Sequence, residues 1–344
     1  MAEINILRVL LAVLLGLAVL AYFALQYYDS LWIPCNLFKY ALRGDSPCLR
    51  GRFNDTLLVI TFNFPLYKSL PLLYSMYRSA FPNIYVCGPK TKKTSTRTAF
   101  ENSVNFLDIH KGYYAYDCVS EAILRHRNYS GYLFLMDDVL LNFWTLQGFN
   151  FNRLWEGPKQ PIAVGKFSPP SLWYWWQSRW GRNKCQKAYN EVHHMKKDSP
   201  ETAIIASELL SKLRRNGNGV TRCFRGRSDI FYVPRKFAKK FSMLSSIFRK
   251  HEVFLEIAVP TIFRMLDRAE NFETLRGHYL PGRVGEEPVT DGRYFWTLYD
   301  EDLNFQHPLK LHYGSNSTMN FAILQNWFLV KVSEMTNCRS NEIV

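Results

Sequence analysis

Apolar and polar positions fall into blocks along residues 56–136. Leu57-Leu58-Val59-Ile60-Thr61-Phe62 is a continuous apolar run of strand length, the pattern of a strand buried on both faces. Pro65 to Ala80 follows with Leu70, Leu73, Tyr74 and Tyr77 at helical spacing, and Pro82 closes it. Ile84 to Cys87 reads as a second strand, stopped by Gly88-Pro89, and Val104 to Ile109 as a third. A helix is predicted from Tyr113 to His126, with Tyr116, Val119 and Ile123 on one face. It leads to a fourth strand, Tyr132 to Met136, which runs straight into Asp137-Asp138. This alternation predicts an α/β layer with a mostly parallel sheet. In such sheets ligands collect beyond the carboxyl ends of the strands, where the two carboxylates fall.

The second half is less regular. Residues 166–200 break the pattern and read as an aromatic-rich insertion loop, in which Trp173-Tyr174-Trp175-Trp176-Gln177-Ser178-Arg179-Trp180 holds four of the nine Trp. That cluster suits sugar stacking or insertion at a membrane surface, and equally a satellite core. His193-His194 lacks the spacing of a helical metal pair and reads as surface. A helix starts at Ser199-Pro200-Glu201, with Ser as cap and Pro in the first turn, and ends at Asn216-Gly217. Asp229 to Val233 is a strand. The next helix, Pro234 to His251, turns Phe237, Phe241, Leu244 and Phe248 inward and its Lys and Arg outward. Phe254 to Arg268 is helical by pattern but holds Pro260, which predicts a kink or a start there. A last apolar stretch runs from Phe321 to Val332.

The N-terminus stands apart. From Val9 to Leu25 every residue is apolar or Gly, just long enough to cross a bilayer as helix. The run exits through Leu25-Gln26-Tyr27-Tyr28, bulky residues that suit an interface better than a signal-peptidase site, so a retained anchor is favoured over a cleaved signal. The expected organisation is a cytosolic tip and transmembrane anchor at 1–28, a stem at 29–55, a catalytic-type domain at 56–335 and a tail at 336–344. Acceptor triplets at Asn54, Asn128 and Asn316 are compatible with a luminal, glycosylated domain. The seven Cys form no Cys-x-x-Cys pair, which argues for scattered disulfides rather than structural zinc. A formal charge of +14 suits an anionic partner, and the membrane segment sets nucleic acid aside in favour of a lipid surface or a diphosphate-linked sugar.

Asp137-Asp138 is the strongest chemical signal. Sugar transfer from a nucleoside diphosphate must neutralise charge on the leaving group, and a divalent cation on hard carboxylate oxygens does so as a Lewis acid. The bland alternative is a cap or loop pair. Six segments, Thr56 to Pro65, Phe81 to Pro89, Gly131 to Asn142, Ser228 to Pro234, Phe254 to Pro260 and His307-Pro308-Leu309-Lys310, together resemble the STELLO-like family of Golgi glycosyltransferases. The resemblance covers roughly residues 55–315. It implies a type II Golgi (or ER) membrane protein whose luminal part is a GT-A-like nucleotide-sugar fold.

Carried onto this chain, the resemblance places Asp137 and Asp138 at the acidic site, on nucleotide and metal. Met136 stands where a three-residue acidic motif would begin, so the division of labour between the two acids stays open. His307 and His312 are candidate metal ligands because many GT-A enzymes place a C-terminal histidine there, the alternative being structural histidines. Glu256, a carboxylate in apolar company, is the candidate general base, or else a buried acid satisfied by arginine. Asp229 is a second candidate, to bind acceptor or to pair with a neighbouring arginine. The expected activity is metal-dependent transfer, with manganese or magnesium, from a nucleotide sugar to a glycan, glycolipid or glycoprotein acceptor, by a monomer or a homo-oligomer. A non-catalytic scaffold for other Golgi enzymes and a carbohydrate-binding protein are the alternatives.

Overall fold

The computed structural model describes residues 48–91, 101–158, 173–280, 292–312 and 316–337. The anchor segment 1–28, most of the stem and most of the tail lie outside these residues. Among the described residues no helix is long and apolar enough to cross a membrane.

The described strands are β1 (Thr56–Thr61), β2 (Ile84–Gly88), β3 (Val104–Phe106), β4 (Gly131–Met136), β5 (Leu140–Leu141), β6 (Trp155–Glu156), β7 (Ile230–Pro234), β8 (Glu273–Thr274), β9 (Gly277–Tyr279) and β10 (Phe305–His307). Seven of them form one sheet in the order β3-β2-β1-β4-β7-β6-β8, and β5-β10-β9 form a small second sheet. In the large sheet β1 pairs parallel with β2 and β4, β2 with β3, and β6 with β8, while β7 runs antiparallel between β4 and β6. The sheet is therefore mixed and mostly parallel. Every residue of β1 and β4 is buried, as their unbroken apolar runs demand. A fully buried Leu, Ile or Phe in these strands contributes about 1.5–3 kcal/mol.

The chain leaves β3 at one edge of the sheet and returns to β4 on the far side of β1. This reversal opens a crevice beyond the carboxyl ends of β1 and β4. Helices Tyr116–Arg125 and Arg235–Lys250 pack together, and the Ser120 and Ser242 hydroxyls meet at 2.7 Å in that buried contact. Phe231 of β7 stacks on Phe134 of β4 at 4.5 Å and meets Phe263 edge-on from helix Leu255–Leu266. Disulfides join Cys87 to Cys118 and Cys185 to Cys223, and Cys48 is also disulfide-bonded.

Several expectations are corrected. The end of the stem belongs to the domain: Leu49 and Phe53 are buried, and the Leu49 N–H donates to the Met335 carbonyl at 2.9 Å. The stretch expected as an insertion loop at 166–200 is helical where it is described, at Tyr174–Gln177 and Arg182–His194. Buried Cys185, Ala188 and Val192 give the second helix an inner stripe of residues too small to register as an apolar face. Helix Pro200–Asn216 starts as expected, with Ser199 and Thr202 in a reciprocal capping box. Of the two readings of Pro260, a kink or a start, the start fails, because the residue sits inside helix Leu255–Leu266. In Arg235–Lys250, Phe237 is only half-buried and Ala238 faces inward instead.

Candidate active site

Backbone pairing explains how distant residues converge at the crevice. The Asp137 N–H donates to the Thr61 carbonyl at 3.0 Å, which docks the end of β4 on the end of β1. Because β7 is antiparallel to β4, it begins where β4 ends. The Met136 N–H donates to the Asp229 carbonyl at 2.9 Å, so Asp229 stands beside the acidic pair. Strand β10 pairs with β5, immediately after the pair, and the Leu309 N–H donates to the Asp138 carbonyl at 2.7 Å. That turn brings His307 and Lys310 to Asp138.

Proline 260 fixes the other wall. It has no N–H to give the Glu256 carbonyl four residues back, and that carbonyl accepts the Gly226 N–H at 3.0 Å instead. The Thr261 hydroxyl accepts the Phe224 N–H at 2.9 Å. These two bonds lay segment 224–229 along the helix, so that Arg227 reaches Glu256 (Nη1 to Oε1, 3.5 Å) and Asp229 comes near it.

The charged centre is continuous. Lys310 Nζ lies 2.5 Å from Asp138 Oδ2, His307 Nε2 lies 3.3 Å from Asp138 Oδ1, and the same nitrogen lies 3.6 Å from Asp229 Oδ1. Arg227 covers the Tyr279 ring at 4.9 Å, and Tyr279 packs on His307 at 5.4 Å. Burial alone would raise Asp138, but Lys310 and His307 hold it far below the usual carboxylate range. Burial and the neighbouring Asp138 charge push Asp137 up to about 8. Burial and Asp229 push Glu256 up to about 8 as well, against the pull of Arg227 and His307. Burial opposes protonation of His307, yet Asp229 and Asp138 raise its pKa above the ordinary value.

Two cavities flank this centre. One, of about 100 Å³, is lined by Asn63, Phe64, Asp137, Asp138, Lys310 and His312, among others. The other, of about 270 Å³, is lined by Trp173, Arg225, Gly226, Arg227 and Glu256. The Asn63 side chain reaches the first because Gly112, at φ +89°, leaves room where a Cβ would sit 1.7 Å from its Oδ1. Asn63 Oδ1 and Asp229 Oδ2 are buried and have no hydrogen-bond partner among the described residues.

Of the residues singled out in the sequence, Asp137, Asp138, Asp229, Glu256 and His307 come together. His312 lines the first cavity with Asp137 and Asp138 but turns its Nε2 to the Ser69 hydroxyl at 3.1 Å, and burial, Lys68 and Lys310 lower its pKa. Asp229 faces His307, while the neighbouring arginine pairs with Glu256. The Trp cluster is mainly a satellite core. Trp175 stacks on Phe254 at 4.3 Å and meets Tyr113, while Trp173 alone of the four lines a cavity of the site. His193 and His194 are exposed, as expected. Lys310, Arg227, Tyr279 and Asn63 carry no functional expectation from their own sequence neighbourhoods, although Lys310 closes the His307-Pro308-Leu309-Lys310 segment.

The donor set does not suit a resident manganese or magnesium ion as arranged. Among the described residues no group of three His, Cys, Asp or Glu is placed to hold a metal ion. One oxygen of Asp138 already holds the Lys310 ammonium, and the other faces the His307 ring.

The family of STELLO glycosyltransferases matches residues 40–214, which include Asp137 and Asp138. Two proteins of Arabidopsis thaliana are similar to the chain, "Probable glycosyltransferase STELLO2" and "Probable glycosyltransferase STELLO1". Each is 21% identical over 228 residues, 66% of this chain and 27% and 26% of the respective relatives. The chain thus spans about a quarter of the length of the curated relatives it matches.

Proposed function

The chain belongs to the STELLO glycosyltransferase family, and from that premise we propose that it transfers a sugar from a nucleoside-diphosphate donor to a carbohydrate-bearing acceptor. The observation that carries this reading is the pair of cavities on either side of one buried centre, Asp138–His307–Asp229. The first cavity is the donor side. Phe64, 41% exposed at its rim, offers a face on which a nucleobase can stack, and the unpartnered Asn63 Oδ1 offers an acceptor for its polar edge.

The second cavity is the acceptor side. Trp173 and the two arginines position an acceptor hydroxyl, and the Glu256 carboxylate takes its proton as the new bond forms at the anomeric carbon. Arg227 holds Glu256 in place and draws its pKa back toward neutrality, keeping an ionised fraction available. His307, its pKa raised by Asp229 and Asp138, bridges the two carboxylates at the boundary.

A GT-A-like architecture is supported by the β3-β2-β1-β4 order and by an acidic pair at the end of β4. Placement in an oxidising lumen, Golgi or ER, behind a type II anchor at 1–28 is supported by the disulfides at Cys87, Cys118, Cys185 and Cys223 and by exposed Asn54 and Asn128.

The test is a thermal-shift screen of nucleoside diphosphates and nucleotide sugars, with and without manganese, followed by transfer assays with the donors that bind. A site ligand stabilises the fold by mass action, about 2.7 kcal/mol at a hundred times its Kd. Stabilisation by one class of nucleotide, lost in Asp138→Asn, is expected. Binding without turnover on any acceptor would leave a non-catalytic scaffold, and no binding at all would refute the donor site.

A further inference from the structure

We propose that the Lys310 ammonium, pinned by Asp138, supplies the positive charge at the donor diphosphate that a divalent cation would otherwise provide, so that donor binding does not require metal. The proposal rests on the donor-site reading above and deepens it.

The placement is built, not incidental. Lys310 Nζ sits 2.5 Å from Asp138 Oδ2, and both side chains are 14% exposed. The backbone that carries it is locked from two sides. The Leu309 N–H donates to the Asp138 carbonyl, and the side-chain amide of Asn320, itself buried, donates to the Lys310 carbonyl at 2.7 Å. The Trp296 indole donates in turn to Asn320 Oδ1 at 2.9 Å. An ammonium fixed in this way needs no reorganisation when charge develops beside it, which is the condition for electrostatic stabilisation of a leaving group.

The surrounding charges agree. Lys310 lines the same cavity as Asn63, Phe64 and Asp137. The two carboxylate oxygens of Asp138 face Lys310 and His307. A divalent ion there would have to sit beside an ammonium already in contact with its ligand, and like charges at such distances repel strongly in a buried site. An ammonium is a compact point charge with three donors, the chemistry that holds phosphate groups elsewhere in proteins. Asp138 then acts as a positioning residue that aims Lys310 rather than as a metal ligand.

In the transfer, the bond from the anomeric carbon to the diphosphate oxygen breaks and its electron pair leaves on the diphosphate. The added negative charge meets the Lys310 ammonium, which stays protonated. The acceptor oxygen bonds to the anomeric carbon, and its proton passes to the Glu256 carboxylate.

The experiment is a calorimetric titration of the full chain with the common nucleoside diphosphates, each in EDTA and in manganese. Parent affinity is expected to agree within about threefold between the two conditions. Lys310→Gln should weaken binding in EDTA by about tenfold or more, Lys310→Arg should keep most of it, and manganese should restore part of what Lys310→Gln loses. Parent binding that appears only with manganese overturns the proposal and leaves the donor site standing. Lys310→Gln that binds like the parent in EDTA overturns it too. No binding in any condition overturns the donor-site reading and this proposal with it. The comparison of EDTA with manganese needs only the parent, so it decides the matter even if a variant misfolds.

Discussion

Replacing Glu256 with Gln separates its ionisation from its shape. In the parent, burial and Asp229 push Glu256 from the ordinary 4.5 to about 8. Between those values the unfolded chain has released its proton while the folded chain keeps it. The stability this contributes is fully present below pH 4.5 and is lost as pH rises to about 8, where the folded carboxyl also ionises. Each pH unit is worth about 1.4 kcal/mol, so the interval sets an upper bound of about 5 kcal/mol. Glu256 shares its field with Asp229, Arg227 and His307, which spreads the titration and brings the expected change to about 2–3 kcal/mol. Glutamine has no such slope. Glu256→Gln should therefore gain about 2–3 kcal/mol on the parent between about pH 5 and pH 9, measured as urea unfolding free energy at matched m-values. Turnover should fall by about 10²–10⁴-fold, with donor affinity nearly intact. Parent turnover should itself rise with pH toward about 8, because the base must be ionised. Stability curves that run parallel from low to high pH would refute the buried, neutral carboxyl, and unchanged turnover would refute the base.

Other consequences follow from the same contacts. Gly112→Ala places a Cβ against Asn63 at a positive φ, so it should cost about 1–3 kcal/mol of stability and weaken donor binding, read by thermal shift with and without nucleotide. Thr261→Val leaves the buried Phe224 N–H without its acceptor, so it should cost about 1–3 kcal/mol and lower turnover through displaced Arg227 while donor affinity holds. Protein made in a eukaryotic secretory pathway should carry glycan on exposed Asn54 or Asn128, and an endoglycosidase that leaves its mass unchanged would speak against a luminal domain.

Strands buried on both faces were the most legible part of the chain. The apolar runs at Leu57 to Phe62 and Tyr132 to Met136 became β1 and β4 within a residue of their expected ends, and they set Asp137-Asp138 at the crevice. Short-range chemistry was legible too, as at Ser199 with Pro200 and at the isolated carboxyl of Glu256. What stayed hidden depends on long-range pairing. Nothing near Asp229 announces that β7 runs antiparallel and starts where β4 ends, so of its two expected roles, binding acceptor or pairing with an adjacent arginine, neither foresaw His307 beside it. Lys310 is an ordinary lysine until the pairing of β10 with β5 brings it to Asp138. The helix Arg182–His194 escaped because its inner stripe is Cys, Ala and Val beneath a polar exterior.

Amide hydrogen exchange of the full chain with and without a bound nucleoside diphosphate tests the central claim most directly. The claim is that the crevice between the ends of β1 and β4 is the donor site. Ligand should slow exchange in three separate segments, 61–66, 137–141 and 307–312, and Asp138→Asn should abolish that protection. Protection confined to other surfaces, or a footprint unchanged in Asp138→Asn, would contradict it.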